Sequence, residues 1–358
     1  MIADAARADA VRAGAVRARV GRQGPVRAGV ARAGLVRADV VRAEGAPGPT
    51  LVINRDHVPA GALALRAELT AVRQWLESSG RGAIRKIALY GTSADPAHDL
   101  DYRFVQCLPD GGFDFRSGCG HSMLACVVGA RRGAGATRVR VANTGNGGDT
   151  VVCEPAADGS YTVHFDRSPA LPLAGLLPTG TPVQRIGADP ASVSVVSLGN
   201  PYVFVDATEL GLRSRDELFD AGTEDFVRLL RLRAAAARLL GHPPRGALPK
   251  IAAVGAYRDG RLAVRAPTVP GWHPALALTG AVCLAAATTV PGTVPNRLAR
   301  TAGCATGALH IETPGGAVVA AATPTADGAA LRRVSVYGKR AHVVERAVAL
   351  PWRIHVTA

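Results

Sequence analysis

The sequence predicts an α+β protein of two similar halves, each a curled β-sheet around one buried central helix. Three observations carry this reading. Two segments, Cys119 to Ala130 and Leu276 to Thr289, are small and apolar on every side, and a helix without a polar face must be buried all round. Each is preceded and followed by short alternating or apolar runs of strand length. The chain has 358 residues, 48% hydrophobic and 20% charged, which is ample for two domains with buried cores.

Residues 1–45 stand apart. They repeat a Val-Arg-Ala unit (Val11-Arg12-Ala13, Val26-Arg27-Ala28, Val36-Arg37-Ala38, Val41-Arg42-Ala43) and set nine Arg against Asp4, Asp9, Asp39 and Glu44. Gly and Pro interrupt the repeat, and almost nothing larger than Val or Leu could anchor it, so a disordered or loosely helical leader is expected. Residues 46–197 are assigned to the first half and 198–358 to the second.

In the first half Thr50 to Ile53 is an apolar strand, Leu63 to Ser79 an amphipathic helix, and Lys86 to Tyr90 a strand after a Gly-rich turn. Asp101 to Gln106 alternates as a strand, the helix opening at Gly118-Cys119-Gly120 ends near Gly133, and strands follow at Arg138 to Ala142, Asp149 to Glu154 and Tyr161 to Phe165. The second half repeats the plan. Ser192 to Ser197 and Asn200 to Asp206 are strands about a tight turn, Thr223 to Leu240 is amphipathic, and Lys250 to Tyr257 is a strand. After the helix at Leu276 come strands at Gly307 to Thr313, Ala317 to Ala322, Leu331 to Tyr337 and Ala341 to Val348.

The formal net charge is +14, of which the leader holds +5. Aromatic residues make up only 4% of the chain, so stacking platforms for single-stranded nucleic acid are scarce, and the remaining charge suits a small polyanionic substrate. Neither nucleic acid nor membrane is an expected partner: no run of about eighteen apolar residues occurs, and the N-terminus lacks a secretory core. A cytoplasmic location follows as the expectation. The six cysteines (Cys107, Cys119, Cys126, Cys153, Cys283, Cys304) form no Cys-x-x-Cys pair or regular framework, so reduced thiols are expected, with no metal site. Cys107, Cys126, Cys153 and Cys283 read as packing residues.

Cys119 reads differently. Flanking glycines let the backbone approach a ligand, and a helix N-terminus offers free N–H groups and partial positive charge that favour a thiolate. The N–H groups of Gly118, Gly120, His121 and Ser122 would hold a carboxylate or an enolate oxygen.

At this point the motifs carry a resemblance. Lys86-Ile87-Ala88, Gly118-Cys119-Gly120, Gly199-Asn200-Pro201-Tyr202-Val203-Phe204-Val205-Asp206, Pro249-Lys250-Ile251-Ala252, and Leu278-Thr279-Gly280-Ala281-Val282-Cys283 with Pro291-Gly292-Thr293-Val294 resemble, in this order, the PrpF-like family. The likeness spans roughly residues 46–350. That family includes methylaconitate and methylitaconate isomerases and oxalomesaconate tautomerases, and has the diaminopimelate epimerase fold, which implies two pseudo-symmetric domains with the active site in the interdomain cleft. The resemblance implies a cofactor-independent isomerase or tautomerase that moves a C=C bond by allylic proton transfer in a small carboxylate, as a monomer or homodimer. It implies Cys119 and Lys86 as the catalytic acid/base pair, because such a shift removes a proton from one carbon and returns one to another. Asn200, Thr279 and Gly280 are implied to contact substrate. Lys250, with the same local sequence as Lys86, is read as a trace of the repeat rather than a second base.

The sequence also departs from that pattern. Gly118 and His121 stand where the family has Asn on either side of its cysteine, Tyr202 replaces a common His, and Ala43 to Gly48 lacks the polar residues of an Arg-Gly-Gly-Thr-Ser-type segment. The family's Gly-His-Pro-Ser-Gly segment appears as Gly303-Cys304-Ala305-Thr306-Gly307, which places Cys304, Thr306 and Gly307 among the expected substrate contacts. A substrate differing from the usual aconitate-type acids is therefore expected. Two other readings stay open. Cys304 could oppose Cys119 in a two-thiol racemase, although Ala277 occupies the thiol position before the second buried helix. An inactive small-molecule-binding protein is the other.

Overall fold

A computed structural model of the chain describes residues 35–59, 61–130, 135–143, 149–188, 190–268, 271–305 and 307–353. The strands are β1 (Leu35–Ala43), β2 (Thr50–Asn54), β3 (Lys86–Thr92), β4 (Leu100–Cys107), β5 (Phe113–Asp114), β6 (Thr137–Val141), β7 (Asp149–Pro155), β8 (Tyr161–Pro172), β9 (Gln184–Ile186), β10 (Ala191–Leu198), β11 (Asn200–Asp206), β12 (Lys250–Arg258), β13 (Arg261–Arg265), β14 (Leu309–Thr313), β15 (Gly316–Pro324), β16 (Ala330–Lys339) and β17 (Ala341–Arg353). The helices are α1 (Ala62–Ser78), α2 (Gly120–Gly129), α3 (Arg215–Phe219), α4 (Thr223–Leu239), α5 (Leu278–Thr288) and α6 (Val294–Thr301).

Strand pairing repeats. β1 runs antiparallel to β2, β2 parallel to β3, β3 antiparallel to β4 and β4 parallel to β6, after which β6, β7 and β8 pair antiparallel. The same succession recurs from β10: antiparallel to β11, parallel to β12, antiparallel to β13, parallel to β14, then antiparallel through β15 and β16. Parallel neighbours need a crossover. In the first repeat α1 and α2 supply it, and in the second α4 and α5 stand at the corresponding places, accompanied by α3 and α6. β8 and β16 pair antiparallel and join the two repeats.

Each repeat wraps its apolar helix. Every residue of α2 except Val128 is buried, and α5 is buried from Leu278 through Ala287. β1, β2, β3, β4 and β17 surround α2, whereas β10, β11, β15, β16 and α6 surround α5. The amphipathic helices cover the outer faces: Leu65, Leu69, Val72 and Leu76 of α1 bury against Leu51, Ile53 and Leu89, as Leu229, Leu232 and Ala236 of α4 do against Val193, Val203 and Ile251. Among the described residues no helix is long and apolar enough to cross a membrane.

The leader expectation fails over residues 35–43, which form β1 between β2 and β17. Its Val-Arg-Ala units are read in period two: Val36, Ala38 and Val40 are buried while Arg37 and Arg42 are exposed. Val41, on the opposite face by the same alternation, packs in the cluster around α2, and the pairing with β2 runs unbroken from Ala38 to Val41. Glu44 and Gly45 form the turn after β1, and residues 1–34 of the proposed leader lie outside the described residues. The repeats therefore start at β1 and β10, not at residues 46 and 198, and the last strand, β17, lies beside β1. α3, α6, β5, β9 and β13 were not among the expected elements. α6 has a readable start, Thr293-Val294-Pro295, in which the Thr293 hydroxyl accepts the Asn296 N–H at 3.2 Å.

A chain beginning at Ala46 is expected to lose cooperative thermal unfolding relative to one beginning at Gly34. It forfeits the burial of Val36, Val40 and Val41, about 1.5–3 kcal/mol each, against a typical total stability of about 5–15 kcal/mol. Circular dichroism melts compare the two; equal midpoints would show that β1 is dispensable.

Candidate active site

Cys119 immediately precedes α2 in an extended conformation (φ −138°, ψ 106°), which sets its thiol at the helix N-terminus. The approach to it is fixed from three directions. The buried Asn143 side chain donates to the carbonyls of Phe104, Phe115 and Ser117 at 3.1, 2.9 and 2.9 Å, and accepts the Phe104 N–H at 2.9 Å. The Asp114 carboxylate accepts the Ser117 N–H at 3.0 Å and the Ser117 hydroxyl. Asn200, the first residue of β11, accepts the Gly118 N–H at 2.7 Å and donates to the Gly118 carbonyl at 2.8 Å and to Thr279 Oγ1 at 3.4 Å.

α5 explains the glycine at 120. A Cβ there would lie 2.6 to 3.1 Å from three side-chain atoms of Leu278, so the starts of the two buried helices touch. Ala277 precedes α5 as Cys119 precedes α2.

Beside this junction lies a pocket of about 570 Å³, counted to its opening into solvent. Lys86 and Lys250 enter it from the first residues of β3 and β12, paired across parallel ladders with Thr50 and Tyr202 respectively. Ser117 to Gly120, Ala277 to Thr279, Asn200, Tyr202 and His273 complete most of its polar edge. A wider recess adjoins it, sharing Lys86, Gln106 and Thr268 and adding Arg42 and Arg85, with no acidic residue among the described residues of its lining.

Electrostatics separate these groups. Burial pushes the Cys119 thiol up, yet the Lys86 charge, the Ser122 hydroxyl at 3.3 Å, the Ser122 amide and the Lys250 charge outweigh it and leave the thiol below its ordinary 9.0. Ser122 Oγ lies 2.9 Å from Thr50 Oγ1, which orients it. Burial lowers Lys250 from 10.5 to about 8, partly opposed by Asp114 and Cys119. Burial raises the packing thiols instead: Cys107 to about 11, Cys153 and Cys283 to about 12, and Cys126 well above the usual range.

The pocket brings together Lys86, Gly118, Cys119, Gly120, Asn200 and Thr279. It does not bring in the others. Ser122 is fully buried and touches the thiol from behind. His121 is 2% exposed and stacks on His273 away from the pocket lining, because the second position of a helix buried all round points into the protein. Gly280 packs under Tyr202, where a Cβ would meet the ring oxygen at 2.8 Å. Cys304 sits at the end of α6, its thiol raised by burial, and neither it nor Gly307 lines the pocket; Thr306 lies outside the described residues. The two-thiol racemase reading thus lacks a second thiol in this pocket, since Ala277 holds before α5 the place that Cys119 holds before α2. Asn200 has both amide functions engaged by the chain, which makes it a clamp on the Gly118 loop rather than a free substrate ligand.

The sequence reading named Lys250 without placing it in the site, and it missed His273. Lys250 was legible from the repeat, because equivalent strands that begin beside one junction aim their first side chains into one pocket. His273, a lone His before α5, gave no signal. Among the described residues no group of three or more His, Cys, Asp or Glu is arranged to hold a metal ion.

Iodoacetamide alkylation is expected to modify Cys119 with a pH midpoint below that of an ordinary thiol, and Lys86→Met and Ser122→Ala are each expected to raise that midpoint. Mass spectrometry of the alkylated peptides reads this directly. An unshifted midpoint in wild type would contradict the activated thiolate.

Comparison with known proteins agrees with this architecture. The chain is 28% identical over 261 residues to 4-oxalomesaconate tautomerase of Pseudomonas putida KT2440, covering 64% of this chain and 72% of that one. It is 29% identical over 263 residues to (4E)-oxalomesaconate Delta-isomerase of Novosphingobium sp. KA1, with 64% and 72% covered. Among solved structures, methylitaconate-delta-isomerase superimposes with a TM-score of 0.61 at 21% identity, covering 88% of this chain and 95% of that one. A probable proline racemase from Agrobacterium radiobacter K84 gives a TM-score of 0.57 at 14% identity, covering 88% and 93%. These likenesses identify the fold as diaminopimelate epimerase-like. The model of the PrpF protein family matches residues 155–351, more than half of the chain, and the chain belongs to the PrpF family.

Proposed function

We propose that this PrpF-family isomerase moves a C=C bond within a small unsaturated carboxylic acid by allylic proton transfer, using side chains of its own. The observation that carries the proposal is the convergence of Cys119, Lys86 and Lys250 on one pocket, with the thiol held below its ordinary range. In the first step the Cys119 thiolate takes a proton from the carbon next to the double bond. The C–H electron pair becomes the new C=C bond and the old π pair moves onto the carboxylate, giving a dienolate. In the second step the Lys86 ammonium returns a proton at the far carbon of the original double bond. A proton then passes from thiol to amine through the pocket or solvent, and nothing is gained or lost overall.

The cations supply the stabilisation such a dienolate needs, since charges in a pocket partly withdrawn from water act more strongly than in solvent. Arg42 and Arg85 in the adjoining recess favour a substrate with a second carboxylate, and two relatives are named for oxalomesaconate. The changed residues of the pocket, Gly118 and Tyr202 among them, favour a substrate distinct from aconitate-type acids.

Incubation with 4-oxalomesaconate, methylitaconate and other unsaturated acids in deuterated water, followed by NMR, tests the proposal. Allylic or vinylic exchange is expected, and Cys119→Ala and Lys86→Ala are each expected to slow it about 10²–10⁴-fold. Exchange surviving both substitutions would reject the assigned pair. The pH profile of kcat/KM is expected to rise as Cys119 ionises and to fall through about pH 8 as Lys250 loses its proton and the pocket a positive charge. Lys250→Met is expected to remove the fall near pH 8.

A further inference from the structure

His273 lies between β13 and α5, is 5% exposed, and lines the pocket with Lys86, Lys250 and Ala277. Its backbone N–H donates to the Ala266 carbonyl at 2.9 Å, and its Nδ1 accepts the Ala275 N–H at 3.2 Å. A ring nitrogen that accepts carries no proton, so the neutral ring has its proton on Nε2. The ring is therefore held as a donor at the nitrogen left over. His121 stacks behind it, ring centroids 6.1 Å apart and planes inclined by 22°. His121 is itself 2% exposed, and neither of its ring nitrogens has a hydrogen-bond partner. Burial lowers both rings, His273 to about 3. The charges acting on them are positive, Lys86 and Lys250 on His273, Lys86 and Lys339 on His121. Both rings are thus neutral at ordinary pH.

A neutral imidazole can polarise a carboxyl or carbonyl group by donation without surrendering its proton, and in a site shielded from water a fixed donor is worth far more than in solution. The two lysines beside it serve proton transfer and charge balance. The dienolate requires a further donor aimed at the oxygen where its charge gathers, and the helix starts cannot supply all of it, since the Gly118 N–H is occupied by Asn200. We propose that His273, as its Nε2–H tautomer, donates the hydrogen bond that holds the substrate's carboxylate and stabilises the dienolate oxygen. The catalytic part of this rests on the isomerase reading; the tautomer and the binding of a carboxylate do not.

Long-range ¹H–¹⁵N spectra of the ¹⁵N-labelled protein between about pH 5 and 8 are expected to show His273 neutral and protonated at Nε2 throughout. Added itaconate, an unsaturated dicarboxylate, is expected to shift that Nε2–H signal downfield. His273→Ala is expected to lower kcat about 10²-fold and to raise KM, and His273→Gln, which keeps an N–H donor, to recover part of both losses. An Nδ1–H tautomer, titration in the ordinary histidine range, or no response to itaconate would overturn the proposal on wild-type protein alone. A kcat for His273→Ala within twofold of wild type would overturn the catalytic part. Failure of every unsaturated acid to exchange would fell the isomerase reading by itself, and the itaconate response would still decide whether His273 donates to a carboxylate.

Discussion

Two helices with no polar face begin at the same place, and the rest of the site follows from how close they come. Gly120 against the Leu278 side chain leaves no room for a Cβ at position 120, so the residues just before each helix, Cys119 and Ala277, are brought to one pocket. Strands that start beside this contact deliver Lys86 from one repeat and Lys250 from the other. The charge balance of the pocket is thus a property of the repeat: duplicated strands give two amines, whereas the duplicated helix starts give a single thiol.

Withdrawal from water acts on every ionisable group here, and its outcome differs with the company each keeps. Cys119 and Cys126 belong to the same helical segment seven residues apart. Burial alone would raise both thiols, but Cys119 faces two cations and a Ser122 hydroxyl, whereas Cys126 faces other thiols and is driven far upward. The same burial brings Lys250 down to about 8 and keeps His273 neutral. One solvent-exclusion effect therefore yields an activated sulfur, an amine that exchanges protons near neutrality, and an uncharged imidazole within a single pocket.

Much of this architecture could be read from residues alone. All-apolar helices, strand alternation and the Gly-Cys-Gly start were plain because burial on every side and helix-terminus chemistry leave direct marks on sequence. The chain-order resemblance found Lys86. β1 was hidden because it continues a longer Val-Arg-Ala repeat and because apolar residues become buried on both of its faces at Val40 and Val41, which blurs the polar-apolar alternation. Residue types near Cys119 misled for a geometric reason: neighbours in sequence at a helix start diverge in direction, so His121 turns inward while Gly120 borders the pocket. Cys304 shared a local pattern with a catalytic motif, yet it lies at the end of α6. His273 could be located only through the fold, since its tautomer depends on an amide two residues on.

The pairing of β17 with β1 has a bearing on biosynthesis. The barrel wall around α2 takes its last member from residues 341–353, so the first repeat leaves the ribosome with an open seam beside β1. At translation rates of about 5–20 residues per second, that seam stays unpaired for many seconds while the second repeat is made. The nascent chain must keep an apolar trough covered or chaperoned through that interval, and the α2 compartment closes only once residues 341–353 have emerged.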